Sequence, residues 1–92
     1  MSGSTRAAST NTAALRTAVS IAPTGVEAVL YDGLAALPAF NPDDDRDGFP
    51  DRLPAPVRDL RAAVNSADVV LFSTPEYAGA LPGAFKNLLD WT

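Results

Sequence analysis

Residues 68–91 read Asp-Val-Val-Leu-Phe-Ser-Thr-Pro-Glu-Tyr-Ala-Gly-Ala-Leu-Pro-Gly-Ala-Phe-Lys-Asn-Leu-Leu-Asp-Trp. The run Val69-Val70-Leu71-Phe72 is apolar without alternation, which suits a strand covered on both faces, as in a parallel α/β sheet. Pro82 opens a helix carrying Leu81, Phe85, Leu88 and Leu89. The order is therefore strand, loop, helix, and the unusual chemistry lies in the loop Pro75-Glu76-Tyr77-Ala78-Gly79. In open α/β sheets ligands bind at the carboxyl ends of strands, where this loop sits.

Working outward, Ser9 or Thr10 can cap a helix from about Asn11 to Ile21, with Leu15, Ala18, Val19 and Ala22 on its apolar face. Pro23-Thr24-Gly25 ends it. Val26–Tyr31 is rich in aliphatic and β-branched residues and reads as a strand. A long polar, proline-rich loop follows from Asp32 to Pro54, with one helical turn near Leu34. Pro56 suits the first turn of a further helix whose buried stripe is Val57, Leu60 and Val64, fading at Asn65-Ser66. Alternation of helix and strand along the chain indicates an α/β domain with parallel strands.

The chain has 92 residues, enough for one small domain with a modest core. Its 11 acidic and 7 basic residues give a net charge of −4, which disfavours nucleic acid as a partner. Cysteine and histidine are both absent, so disulfides, thiol catalysis, the usual zinc sites and a Ser-His-Asp triad are excluded within this chain. No apolar run approaches a membrane span, and no secretory signal is visible. The expectation is a cytoplasmic protein with no membrane partner.

Two loops carry candidate chemistry. The first, Ser4-Thr5-Arg6-Ala7-Ala8-Ser9-Thr10-Asn11, lies directly ahead of a helix. A helix N-terminus offers free N–H groups and partial positive charge to a phosphate. Gly3 allows close approach, Ser4, Thr5, Ser9 and Thr10 offer hydroxyl donors, and Arg6 offers a charge-assisted pair. The same residues also read as a polar N-terminus with an ordinary Ser or Thr cap. In the second loop, Tyr77 can lie against an aromatic ring, and backbone N–H groups can reach ring heteroatoms. That loop reads equally as an ordinary turn with a half-exposed Tyr. No G-x-G-x-x-G or G-x-x-x-x-G-K-[ST] run is present, which disfavours a dinucleotide fingerprint or a P-loop.

Taken together, these motifs resemble those of the NAD(P)H-dependent FMN reductases of the flavodoxin-like fold. Gly3, Ser4, Arg6, Ser9 and Asn11 fall on the Gly-Ser-x-Arg-x-x-Ser-x-Asn phosphate loop, and Pro75-Glu76-Tyr77 on the isoalloxazine-binding segment. The resemblance implies FMN held by Ser4, Thr5, Arg6, Ser9, Thr10, Asn11, Pro75, Glu76, Tyr77, Ala78 and Gly79. It also implies NADPH or NADH as hydride donor, a small-molecule electron acceptor, and an oxidoreductase with no catalytic side chain of its own. A homo-oligomer is compatible with it. Where many members have Asn or His after the Tyr, this chain has Ala78, which leaves only a backbone contact. A flavodoxin-type electron-transfer protein and a non-catalytic fragment are the rival readings.

The resemblance further implies an incomplete domain. Met1 stands just ahead of Gly3, so the first strand and the C-terminal half are expected to be absent. With a 2-1-3-4-5 sheet, Val26–Tyr31 and Asp68–Phe72 would flank a gap of roughly 9–10 Å. Asp43-x-Asp45-x-Asp47-Gly48 begins like an EF-hand loop, but Pro54 stands where the bidentate Glu belongs, so no metal is expected. Glu76 is read as orienting the backbone, Lys86 and Asp90 as a surface i, i+4 pair, and Trp91 as core or interface packing.

Overall fold

The computed structural model describes residues 1–45 and 52–92. Three α-helices organise them: α1 (Thr10–Ser20), α2 (Ala55–Asn65) and α3 (Gly83–Asp90). Short 3-10 turns occur at Gly33–Ala36 and Pro42–Asp44. The helices lie where apolar spacing places them. Pro56 falls in the first turn of α2, where a missing N–H removes no intrahelical bond. The Pro54 carbonyl accepts from the amides of Val57 and Arg58, at 2.9 and 3.1 Å. Among the described residues no helix is long and apolar enough to cross a membrane.

The core is built from one stripe of each of two helices and one turn. Val57 and Leu60 of α2, Phe85 and Leu88 of α3, Leu34 of the first 3-10 turn, and Trp91 form one buried cluster. Val64 packs half-buried against it, which completes the expected stripe of α2. Fully burying such a side chain is worth about 1.5–3 kcal/mol. Trp91 is fully buried, and its indole N–H donates to the Pro38 carbonyl at 2.9 Å. The ring of Phe40 meets it edge to face, with centroids 4.9 Å apart. Asn87 fastens the same loop, donating Nδ2–H to Pro38 O at 2.8 Å and accepting from the Phe40 amide at 2.7 Å. The polar stretch after Tyr31 is thereby held onto α3.

Arg61 makes the second fastening. Its Nε donates to the Trp91 carbonyl at 2.8 Å, occupying an acceptor at the end of α3. Its Nη2 donates to Asp45 Oδ2, also at 2.8 Å. The Asp45 carboxyl is held below its ordinary pKa by that hydrogen bond, opposed in part by desolvation. Lys86 and Asp90 pair across one turn of α3 as expected.

One expectation needs correction, and two further observations bear on the sheet. Leu81 precedes α3 rather than riding on it, because the helix begins at Gly83 with Pro82 as its cap, and Leu81 is exposed. The segments Val26–Tyr31 and Asp68–Phe72 are not paired into a sheet. A strand is defined by the neighbour it bonds to, and among the described residues these two lack a continuous one. Residues Met1–Gly3 bond to the end of the second segment. Gly3 N donates to Ser73 O at 2.8 Å, Ser73 N donates to Met1 O at 3.1 Å, and the Met1 amino group donates to Leu71 O. These bonds make a parallel bridge between Ser2 and Ser73. The remaining edges stay open: Val29 is 80% exposed and Val69 84%. Of the acidic tract likened to an EF-hand, Asp47 and Gly48 lie outside the described residues.

Candidate functional site

The Ser2–Ser73 bridge brings the two sequence-predicted loops out of one place in the fold. Ser2 and Gly3 are buried there. A β-carbon on Gly3 would stand 2.2 Å from Thr74 Oγ1, 2.6 Å from Thr74 Cβ and 3.0 Å from the Phe85 ring. Only glycine permits this approach of the first loop to the residue that starts the second. The junction is reinforced from α1: Ser73 Oγ donates to Asn11 Oδ1 at 2.9 Å, and Thr12 Oγ1 donates to Ser2 Oγ at 2.8 Å.

The first loop is shaped by its own hydroxyls. Ser2 Oγ accepts from the Ser4 amide and Ser4 Oγ from the Arg6 amide, each at 3.3 Å. Ser9 is buried and caps α1, its Oγ accepting from the Thr12 amide at 3.3 Å. The amides of Thr10 and Asn11 have no protein acceptor among the described residues. The positive end of α1 is thus left with donors to offer. The expected residues divide accordingly. Ser4, Thr5 and Arg6 line an open cavity, Ser9 is engaged as a cap, Asn11 is engaged with Ser73, and Thr10 is exposed on the first turn.

That cavity measures about 210 Å³ and lies between the first loop, α1 and the Leu30–Ala35 segment. Thr12 and Arg16 of α1 line it, with Tyr31 and Asp32 opposite. The sequence reading missed Ser2, Thr12, Arg16 and Tyr31. The available signal was the i, i+4 spacing of Thr12 and Arg16, which puts both on one side of α1. The Tyr31 ring lies over Gly33, where a β-carbon would come within 2.4 Å of its hydroxyl. Its phenol is raised above the ordinary pKa by burial, then by the carboxylates of Asp59 and Asp32. At the other side of the first loop, the Met1 amino group is lowered by burial.

Pro75–Gly79 does not line that cavity. The second loop forms a tight reversal instead. Tyr77 N donates to Ala80 O at 3.0 Å and Ala80 N to Tyr77 O at 3.1 Å. The two residues between, Ala78 and Gly79, have φ of 52° and 76°. Positive φ at both central positions is the mark of a type I′ turn. Glu76 supports it, Oε1 accepting from the Gly79 amide at 2.9 Å, which is the backbone-orienting role expected of it. Tyr77 is left 57% exposed at the tip. The Ala78 amide has no protein acceptor among the described residues. No group of side chains that could hold a metal ion occurs among the described residues.

The NADPH-dependent FMN reductase family matches residues 1–92, and the chain belongs to that family. Membership implies the flavodoxin-like fold. The chain is 41% identical over 91 residues to an NAD(P)H-dependent FMN reductase of Pseudomonas aeruginosa, covering 99% of this chain and 46% of that protein. It is 37% identical over 90 residues to a quinone reductase of Escherichia coli, covering 97% and 46%. An NADPH:quinone oxidoreductase of Arabidopsis thaliana is 33% identical over 93 residues, with 99% and 46% covered. The chain thus spans less than half the length of the curated relatives it matches. No solved structure matches it significantly.

Proposed function

We propose that this chain supplies the FMN contacts of an NAD(P)H-dependent oxidoreductase acting on a small-molecule acceptor of the quinone type. The observation that carries the reading is the common origin of the two loops at the Ser2–Ser73 bridge, one ending on a helix with free amides and the other presenting an open aromatic turn. The residues present fit a phosphate: Arg6 has no ion-pair partner among the described residues, and the Thr10 and Asn11 amides have no protein acceptor there. In the proposed complex Ser4, Thr5, Arg6 and the first turn of α1 take the phosphate. Ser9 and Asn11 act by position, Ser9 as the helix cap and Asn11 by holding α1 to Ser73. Tyr77 offers its ring to the isoalloxazine, the Ala78 amide offers a donor, and Pro75, Glu76 and Gly79 fix the turn that presents them.

When bound, FMN supplies the redox chemistry, taking a hydride from NADPH or NADH and returning electrons to the acceptor. The chain's own task is to bind and orient, and no side chain here is given an acid or base role. In this reading Val26–Tyr31, Met1–Gly3 and Val69–Ser73 take neighbouring positions of a parallel sheet of flavodoxin type. The setting is cytoplasmic, where the nicotinamide donors are dissolved. Homo-oligomerisation is compatible with this arrangement.

The test is a flavin titration of the protein followed by NADPH oxidation. Arg6→Ala weakens FMN binding by about 1.5–3 kcal/mol, the range for a hydrogen bond to a charged group, and leaves riboflavin binding almost unchanged. Equal loss for both flavins makes Arg6 structural and overturns the phosphate assignment. FMN binding without NADPH oxidation favours an electron carrier over a reductase.

A further inference from the structure

The guanidiniums of Arg6, Arg16 and Arg58 have no hydrogen-bond or ion-pair partner among the described residues. Arg6 and Arg16 line the same cavity beside the first loop, whereas Arg58 lies on α2 away from it. Arg6 and Arg16 are both exposed, and Asp32 is the one carboxylate in the lining of that recess, so two unpaired guanidiniums stand against one acid, an arrangement that a bound anion would complete.

The geometry of α1 says how Arg16 comes to be there. Thr12 Oγ1 donates to Ser2 Oγ, so the Thr12 side of α1 is fixed toward the base of the first loop. Arg16 is one turn further along the same side. Side chains of an α-helix lean toward its N-terminus, so a long side chain at 16 reaches back over the turn before it. The cavity lining agrees: Thr12, Arg16, Arg6, Ser4 and Thr5 share one recess, with Tyr31 and Asp32 on its far side.

We propose that Arg16 is a second phosphate-recognition residue, closing the recess from the α1 side so that a phosphate monoester held by the Ser4–Asn11 loop meets Arg6 and Arg16 together. This rests on the reading that the loop takes the phosphate of FMN, and adds to it a residue outside the loop motif. Phosphate oxygens are good acceptors for a guanidinium fork, and a dianion is better matched by a pair of arginines than by one. Gln at 16 keeps the helix and a hydrogen-bonding head but loses the charge, because Gln and Arg have similar helix propensity.

The experiment compares FMN with riboflavin on the wild-type protein, Arg16→Gln and Arg16→Lys, by quenching of flavin fluorescence across a range of salt concentrations. Arg16→Gln is expected to raise the Kd for FMN by about tenfold, which is ~1.4 kcal/mol, while riboflavin changes by less than about twofold. Arg16→Lys recovers part of the loss, and the salt dependence of FMN binding is shallower in Arg16→Gln than in wild type. Unchanged melting of Arg16→Gln confirms that the fold is kept. If wild type prefers FMN over riboflavin and Arg16→Gln keeps that preference in full, this inference falls while the loop assignment stands. The comparison is made at flavin concentrations that saturate wild type with riboflavin or FMN, if need be with residues 1–92 joined to the remaining length of a family relative, and a wild type that binds both flavins equally overturns both.

Discussion

Gly3 and Thr74 stand too close for any side chain to come between them: a β-carbon at 3 would lie 2.6 Å from the β-carbon of Thr74. The contact joins the phosphate-type loop to the aromatic-tipped turn, and the Gly3 amide bonds the Ser73 carbonyl at the same place. Gly3→Ala forces the two backbones apart, since Thr74 Cβ cannot rotate away as its hydroxyl can. Overpacking of this kind costs about 1–3 kcal/mol. The expected result is a lower denaturant midpoint together with weaker FMN binding. Thr74→Gly in the Gly3→Ala background should restore part of both, and a Gly3→Ala protein of wild-type stability would show that the loops meet less closely.

Ala78 occupies the left-handed region, with φ of 52°, in the turn that presents Tyr77. A residue with a β-carbon is penalised there by roughly 1–2 kcal/mol, whereas glycine is not and asparagine tolerates it. Glycine also gives back some stability through a freer unfolded chain. Ala78→Gly is therefore expected to be stabilising by about 0.5 kcal/mol and Ala78→Asn by a similar amount, while Ala78→Val is destabilising. Thermal melting of the three variants checks the order. A more stable valine variant would contradict the turn conformation.

Much of this was legible locally. The stripe Val57, Leu60 and Val64 is a matter of helical period, and Pro54 and Pro56 mark where α2 can start, so its place needed no tertiary information. The cap at Ser9, the turn at Leu34, the burial of Trp91 and the orienting role of Glu76 follow from side-chain chemistry in the same way. What was not legible depends on partners distant in sequence. Val26–Tyr31 and Asp68–Phe72 have strand composition, but composition does not say what they bond to. Arg16 sits on the polar side of α1 and reads as solvent-facing until the Thr12–Ser2 hydrogen bond orients that side. Leu81 matched the helical period of α3, yet Pro82 as cap leaves it outside.

The Asp45–Arg61 pair gives stability an acid limb. Arg61 lowers the Asp45 pKa in the folded state by hydrogen bonding first and by charge second. A depressed carboxyl contributes stability that is present above its unfolded pKa, near 3.9, and is lost as pH falls through the lower folded value. The melting temperature should decline on acidification below about pH 4, less steeply in Asp45→Asn than in wild type. Arg61→Lys should fall more than Asp45→Asn at neutral pH, because Arg61 also donates Nε to the Trp91 carbonyl. Identical acid limbs in wild type and Asp45→Asn would remove Asp45 from the account.

Residues 1–92 expressed alone should hold FMN poorly. Val26, Val29, Val69 and Leu71 are 55%, 80%, 84% and 60% exposed, on two extended segments that lack a continuous hydrogen-bonded neighbour. Exposed apolar side chains and unpaired strand edges together favour association between chains. The counterweight is small: one cluster formed by Leu34, Val57, Leu60, Phe85, Leu88 and Trp91, in a chain whose size leaves little stability to spare. The bridge of Ser2 to Ser73, with the Ser73–Asn11 hydrogen bond beside it, sets the two loops relative to each other across those open edges. Any slip of Val69–Ser73 displaces the Tyr77 turn from the Arg6 loop, and the two halves of the FMN contact no longer address one ligand. The isolated chain is therefore expected to purify without flavin, to bind a dye that reports exposed apolar surface, and to melt over a broad range. Residues 1–92 joined to the remaining length of a family relative should purify yellow and melt cooperatively. A yellow, sharply melting 92-residue monomer that oxidises NADPH would show that the exposed valines do not compromise the site.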